Sequence, residues 1–213
     1  MSKPSPRSEF FRLIKHYRAD QVFNPWTDRN ASDDSAGNGP HERCRRLEAH
    51  LSIQPGYLLI GEASGYQGCR ISGIPFTSER LIMEGVVPRL PHEGARLSTR
   101  ERPWSEPSAT IVWGTLRALG IAERTILWNA FPWHPHASAK PHSNRTPSPA
   151  ECTQGLPVLE ALLSLFPLVQ VLAVGRHAER ALLQIERAAP ALRHPAMGGA
   201  SAFRQGLKAA LKR

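Results

Sequence analysis

Three short apolar runs, separated by segments of helical spacing, constrain the fold of this chain more than any other feature. Tyr57-Leu58-Leu59-Ile60 ends in Gly61, Thr125 to Phe131 carries Asn129 near its end, and Leu168 to Val174 ends in Gly175. Runs this short, bounded by turn residues, read as strands buried on both faces. Leu192-Arg193-His194 adds a short fourth. Ser108 is placed to cap a helix reaching about Leu119, with Ala109, Val112, Leu116 and Leu119 as its buried stripe. Ser148-Pro149-Ala150-Glu151 is a capping box with proline in the first helical position. Its helix is expected to turn Cys152, Leu156, Leu159, Leu163 and Phe166 inward and to stop at Pro167. A helix from His177 to about Arg187 follows, then a last one capped by Ser201 and running through Leu211. Strands alternating with helices in this way imply an α/β fold, a parallel sheet covered on both faces.

Ahead of the first strand, Phe10, Ile14 and Tyr17 fall at helical spacing, which predicts an amphipathic helix from Ser8 to Ala19. Thr27 to Pro40 reads as a polar loop, and a helix from His41 carries Cys44, Leu47 and Leu51 on one face. A Gly-rich loop runs from Gly61 to Pro75, with a helix starting near Thr77 or Ser78. Val86 to Pro107, with four prolines, reads as a long surface loop. Residues 1–55 are thus expected to form a helical segment packed on a core of residues 56–213, one domain overall, with no internal repeat.

The 213 residues carry 27 Lys and Arg against 18 Asp and Glu, a formal charge of +9. No acid lies between Glu123 and Glu151 or after Glu186, while Arg124, Lys140, Arg145, Arg187, Arg193, Arg204, Lys208, Lys212 and Arg213 do. Such segments suit a polyanion, since neutralising phosphates releases counterions, and equally suit a solvated basic surface. Three scattered cysteines exclude a disulfide framework and point to a reducing, cytoplasmic setting. Met1 to Arg7 precedes no signal-like apolar run. Leu156 to Val174, the most membrane-like stretch, is broken by Pro157, Glu160, Pro167 and Gln170, so no membrane partner is expected.

Parallel sheets bind ligands beyond the carboxyl ends of their strands, here Gly61-Glu62, Asn129, Gly175 and His194. Gly61 to Gly68 matches no phosphate-loop template. Ser64 has Glu62 where a hydrolase elbow needs glycine, although its order with His194 leaves a serine hydrolase as one alternative. No cysteine or carboxylate completes a zinc set with His134, His136 and His142, which read as solvated loop histidines. No metal and no cofactor are expected.

Leu59-Ile60-Gly61-Glu62-Ala63-Ser64-Gly65-Tyr66-Gln67-Gly68-Cys69-Arg70, continuing through Ile71-Ser72-Gly73-Ile74-Pro75-Phe76-Thr77, resembles the first motif of the uracil-DNA glycosylase superfamily. Trp128-Asn129-Ala130-Phe131-Pro132 and Asn144-Arg145-Thr146-Pro147 resemble its central motif, and Arg193-His194-Pro195-Ala196-Met197-Gly198-Gly199 its last. The blocks come in the superfamily's order. The resemblance implies a three-layer α/β/α sandwich with a four-stranded, mainly parallel central sheet. It also implies a monomer that hydrolyses the N-glycosidic bond of uracil or a related deaminated base flipped out of DNA. Carried over by position, Gly61 and Ala63 line the base pocket, Phe76 stacks on the base, and Asn129 bonds its Watson–Crick edge. His194 donates to the carbonyl oxygen that gains charge. Met197 enters the gap left in the duplex, and Arg145, Arg193, Gly198 and Gly199 meet the DNA backbone.

Ala63 stands where several branches carry a catalytic Asp or Asn, and the iron-sulfur branch's four cysteines are absent. Glu62 and Glu79 are then the acids open to orienting water. Each has a structural counterpart: Glu62 as a carboxylate bonding loop amides, Glu79 as a favourable charge in a helix's first turn. Phe76 in a core, Asn129 on loop backbone and a structural His194 are the corresponding plain alternatives. The leading expectation is a DNA repair glycosylase; the other is a nucleic-acid-binding module with the same fold and no hydrolysis.

Overall fold

Alternation along each strand decides the architecture. In the computed structural model, which describes residues 5–90 and 96–212, Leu58 and Ile60 face one core cluster while Leu59 faces another. Ile126 and Trp128 against Leu127, and Val171 and Ala173 against Leu172 and Val174, repeat the pattern, all of them buried. A strand with apolar side chains on both faces needs cover on both, and helices supply it. Met1 to Pro4, Arg213 and residues 91–95 of the long 86–107 loop lie outside the described residues.

In chain order the elements are α1 (Pro6–His16), β1 (Val22–Phe23), α2 (Pro40–His50), β2 (Tyr57–Ala63), α3 (Cys69–Ser72), α4 (Glu79–Met83) and α5 (Pro107–Ala118). A 3-10 turn at Ala122–Arg124 leads into β3 (Thr125–Phe131), followed by β4 (His134–Pro135), α6 (Pro149–Leu165), β5 (Gln170–Val174), α7 (Arg176–Gln184), β6 (Ala191–Leu192) and α8 (Ala200–Ala210). The main sheet has the order β3-β2-β5-β6, and every pairing in it is parallel. Helices α1, α6 and α7 bury their apolar stripes on one face, α5 and α8 on the other, a three-layer α/β/α sandwich. The strand order reverses direction between β2 and β5, so a crevice opens at their carboxyl ends. A separate antiparallel pair, β1 with β4, was not legible in the sequence.

Several local expectations shift. Pro107 occupies the first turn of α5, so Glu106 is its N-cap and Ser108 lies inside the helix. The N-cap of α8 is Gly199 rather than Ser201, with no side-chain cap on the first amides. The first helix ends at His16 rather than Ala19, and the Gly-rich loop contains α3. In α6 the capping box is present, but the buried face is Gly155, Val158, Leu159 and Leu162. Leu156 and Leu163 move to its flank because a Cβ at position 155 would stand 2.1 Å from the Ala130 carbonyl oxygen. The helix axis crosses β3 where it has no side chain. Leu168 is 98% exposed and precedes the strand that begins at Gln170.

The 27–40 loop is not a solvated tether. Asp34 accepts from Arg43 Nη1 at 2.9 Å and Asp33 from Arg70 Nη1 at 2.5 Å, all four side chains buried. Both guanidinium groups lie on the Phe23 ring, at 5.6 and 4.9 Å from its centroid. Buried charges of this kind persist only when paired, and here the pairs clamp the loop to α2 and α3. At the outer edge of β3, His50 Nε2 accepts the Leu127 amide at 3.0 Å and Arg89 donates to the Thr125 carbonyl at 3.3 Å.

Candidate active site

Beyond the carboxyl ends of β2 and β3 lies a cavity of about 570 Å³, lined among others by Glu62, Ala63, Phe76, Glu106, Asn129 and His194. Gly61 makes the grouping sterically feasible. A Cβ there would fall 2.4 Å from the Phe76 ring and 2.6 Å from Asn129 Oδ1, so only glycine lets ring and amide meet across β2. Phe76 itself is buried with φ +51°, a conformation a bulky side chain rarely takes and one that collects at functional sites. Its ring centroid stands 6.3 Å from that of His194.

His194 follows β6, the last strand, and its ring is held by its own loop. Nδ1 accepts the Ala196 backbone N–H at 3.2 Å, which places the proton of the neutral ring on Nε2. Burial first, and the neighbouring Arg193 charge second, hold its pKa below the usual histidine value. The imidazole is therefore a neutral donor at physiological pH. Asn129 Nδ2 donates to Ser64 Oγ at 3.5 Å, and Ser64 in turn donates to the Pro132 carbonyl. Among the described residues no base contacts the Ser64 hydroxyl, which rules against the serine-hydrolase alternative.

The three carboxylates divide sharply. Glu79 is fully buried and does not line the cavity, a correction to its expected catalytic place. Its oxygens accept from Arg96 Nε, the Leu97, Ser98 and Trp104 amides and Ser98 Oγ, at 2.7 to 3.0 Å. Burial pushes its pKa up, and these donors together more than reverse that, so it stays ionised and pins the 96–104 loop. Glu62 lines the cavity and also a neighbouring one that contains Arg193 and His177, whose Nε2 is 3.9 Å from Glu62 Oε1. Glu106 was missed in the sequence. Its only signal is its place before Pro107, which makes it the residue outside a helix start and leaves its side chain free to reach the Gly-rich loop.

Met197 is 92% exposed at the cavity lip with φ +51°, next to Gly198 with φ +76°. Arg193 spans the same turn, its Nη atoms 3.4 and 3.5 Å from the His194 and Met197 carbonyls, and no carboxylate pairs with it among the described residues. Gly199 donates to the Ala196 carbonyl and opens α8 with its first amides uncapped, an arrangement that suits an anion. Arg145 is differently placed. It borders the cavity, yet its guanidinium is engaged by Glu151 in two bonds of 2.7 Å and by the His136 carbonyl at 3.0 Å. Its neighbour Asn144, to which the sequence assigned no task, accepts the Tyr66 amide at 3.0 Å and so ties the 136–148 loop to the Gly-rich loop.

His134 is also corrected: it is fully buried rather than solvated, with Nε2 bonded to the Ser143 carbonyl at 2.8 Å, and burial drives its pKa down to about 3. Among the described residues no three His, Cys, Asp or Glu side chains gather as a metal site would require, and no helix is long and apolar enough to cross a membrane.

The family model of the Uracil DNA glycosylase superfamily matches residues 49–210. The structure is similar to that of wild-type SMUG2 from Pedobacter heparinus, with a TM-score of 0.63 and 20% identity, covering 97% of each chain. At that identity the likeness is one of fold. No curated protein sequence matches the chain.

Proposed function

The chain belongs to the uracil-DNA glycosylase superfamily, and on that premise we propose that it hydrolyses the N-glycosidic bond of uracil or a related deaminated base, leaving an abasic site in DNA. One observation carries the proposal: an imidazole fixed as a neutral Nε2–H donor shares a cavity with an aromatic ring and an asparagine amide. A base flipped from the duplex fits such a site. Phe76 stacks on it, Asn129 bonds its Watson–Crick edge, and Gly61 and Ala63 leave room on the β2 side. As the bond to the sugar breaks, the electron pair moves onto the base and charge grows on its carbonyl oxygen. The Nε2–H of His194 meets that charge, a preorganised contact that strengthens in the transition state.

Outside the cavity, Met197 enters the space that the extruded nucleotide leaves, as apolar wedges do elsewhere. Its exposed thioether at a tight turn supports this role. Arg193, Gly198, Gly199 and the first amides of α8 take the phosphates beside it.

The test is single-turnover cleavage of oligonucleotides containing uracil, hypoxanthine or a G·T mispair, followed by alkali. We expect uracil to be excised, and His194→Ala to slow excision by about 10²- to 10³-fold with little change in DNA affinity. A folded His194→Ala variant at the wild-type rate refutes the site. A wild type that excises none of the bases leaves a DNA-binding module instead.

A further inference from the structure

Hydrolysis also requires a group that takes a proton from water, and the cavity holds two carboxylates. Resting on the glycosylase reading above, we propose that Glu106 is the catalytic residue that orients the attacking water and accepts its proton. Glu106 enters the cavity from the start of α5 and lies over the Gly-rich loop. A Cβ at Gly68 would stand 1.8 Å from its Oε2, and one at Gly65 3.4 Å from its Oε1, so the carboxylate occupies space that a side chain at 68 would claim. Oε2 is buried without a hydrogen bond among the described residues. Glu106 itself is half-buried, while the fully buried acids among the described residues are satisfied: Glu79 by five donors, Asp33 by Arg70 and Trp104, Asp34 by Arg43. A carboxylate oxygen buried without a donor is costly and calls for an explanation in use.

Burial alone pushes the Glu106 pKa up to about 7, where a general base works well near neutral pH. Glu62, by contrast, stands between two cavities with its side chain a third exposed and His177 at 3.9 Å. In the reaction the C1′–N bond breaks and its electron pair leaves with the base. The water oxygen bonds to C1′, and the water proton passes to the Glu106 carboxylate.

The titratable groups around Glu106 are Glu62 on β2, Arg145 before α6, His194 after β6 and Cys69 at the start of α3. Burial raises the Cys69 thiol to about 12, and His194 lies below its ordinary value, so a limb centred near 7 belongs to neither. The experiment is single-turnover excision of uracil from pH 5.5 to 9 by wild type, Glu106→Gln and Glu62→Gln, with unfolding and DNA binding of each. Wild type should gain rate with pH through an apparent pKa near 7. Glu106→Gln should lose that limb and fall by about 10²- to 10⁴-fold while being at least as stable as wild type and binding DNA as it does. Glu62→Gln should retain the limb. Glu106→Ala should regain rate when formate is added, which a structural role would not allow. The assignment is overturned if Glu106→Gln keeps the limb, if Glu62→Gln loses it, or if formate restores nothing. Inactive wild type on every damaged base instead brings down the parent reading.

Discussion

A carboxyl buried without a donor weakens the fold once it ionises, so Glu106 has a stability signature separate from its chemistry. Its pKa is raised in the folded state to about 7 from an ordinary 4.5. Below pH 4.5 the acid is neutral folded or unfolded and costs nothing. As pH climbs from 4.5 to 7, the unfolded chain gains from ionising and the native state loses ground, and above 7 the loss is complete. Glu106→Gln should therefore raise stability at pH 8 by on the order of 1 to 3 kcal/mol and leave it nearly unchanged at pH 4.5, as read from urea midpoints at both pH values. Equal midpoints at pH 8 would show that the carboxyl is solvated. That Phe76, Asn129 and His194 would gather at one cavity, with Gly61 between ring and amide, was legible because each sits at a strand end or inside a motif whose spacing is local. Glu106 was not, because where a loop carboxylate comes to rest depends on the empty space above Gly68. Glu79 misled for the opposite reason: its helix-start position is a local fact, while its five donors come from the 96–104 loop.

Elements bring the basic side chains to different fates. Arg145 and Arg193 are indistinguishable by composition, each in an acid-free stretch, but α6 supplies Glu151 to one and the turn before α8 supplies only carbonyls to the other. Arg145→Ala should lower stability by about 1.5 to 3 kcal/mol, the range for hydrogen bonds to charged groups, and leave the salt dependence of DNA binding unchanged. Arg193→Ala should do the reverse, reducing the slope of log affinity against log salt by about 1. Titrations of both variants at several salt concentrations decide between them, and a reduced slope for Arg145→Ala would mean that its bond to Glu151 opens on DNA. Strands and helices were legible because their periodicities are strong. Their ends were less so, since the proline at 107 outranks the serine at 108 as a start signal. The inward face of α6 followed the close approach at Gly155 rather than its leucines.

Much of the acid sensitivity of the molecule above pH 4.5 lies in buried histidines. Burial, reinforced at His50 by the Arg89 charge, holds both His50 and His134 down to about 3. Above pH 6.5 both are neutral whether folded or not. Between 6.5 and 3 the unfolded chain binds protons that the fold refuses, at up to about 1.4 kcal/mol per pH unit for each. Glu106 works in the other direction down to pH 4.5 while the depressed His194 adds to the loss, so a net loss of at least about 1.4 kcal/mol per unit is expected there, steeper in Glu106→Gln. Urea midpoints at pH 7, 5.5 and 4 measure this, and a flat series would refute it. The buried ion pairs of the 27–40 loop escaped the sequence because a polar stretch reads as solvated until Arg43 and Arg70 arrive from α2 and α3. At the rim of the sheet, the Leu127 amide and Thr125 carbonyl are already taken by side chains, and the opposite outer strand, β6, is only two residues long. An intruding strand from another copy of the chain thus meets the Leu127 amide and Thr125 carbonyl already engaged on one side and only a two-residue strand on the other, a guarded rim of the kind that hinders edge-to-edge joining.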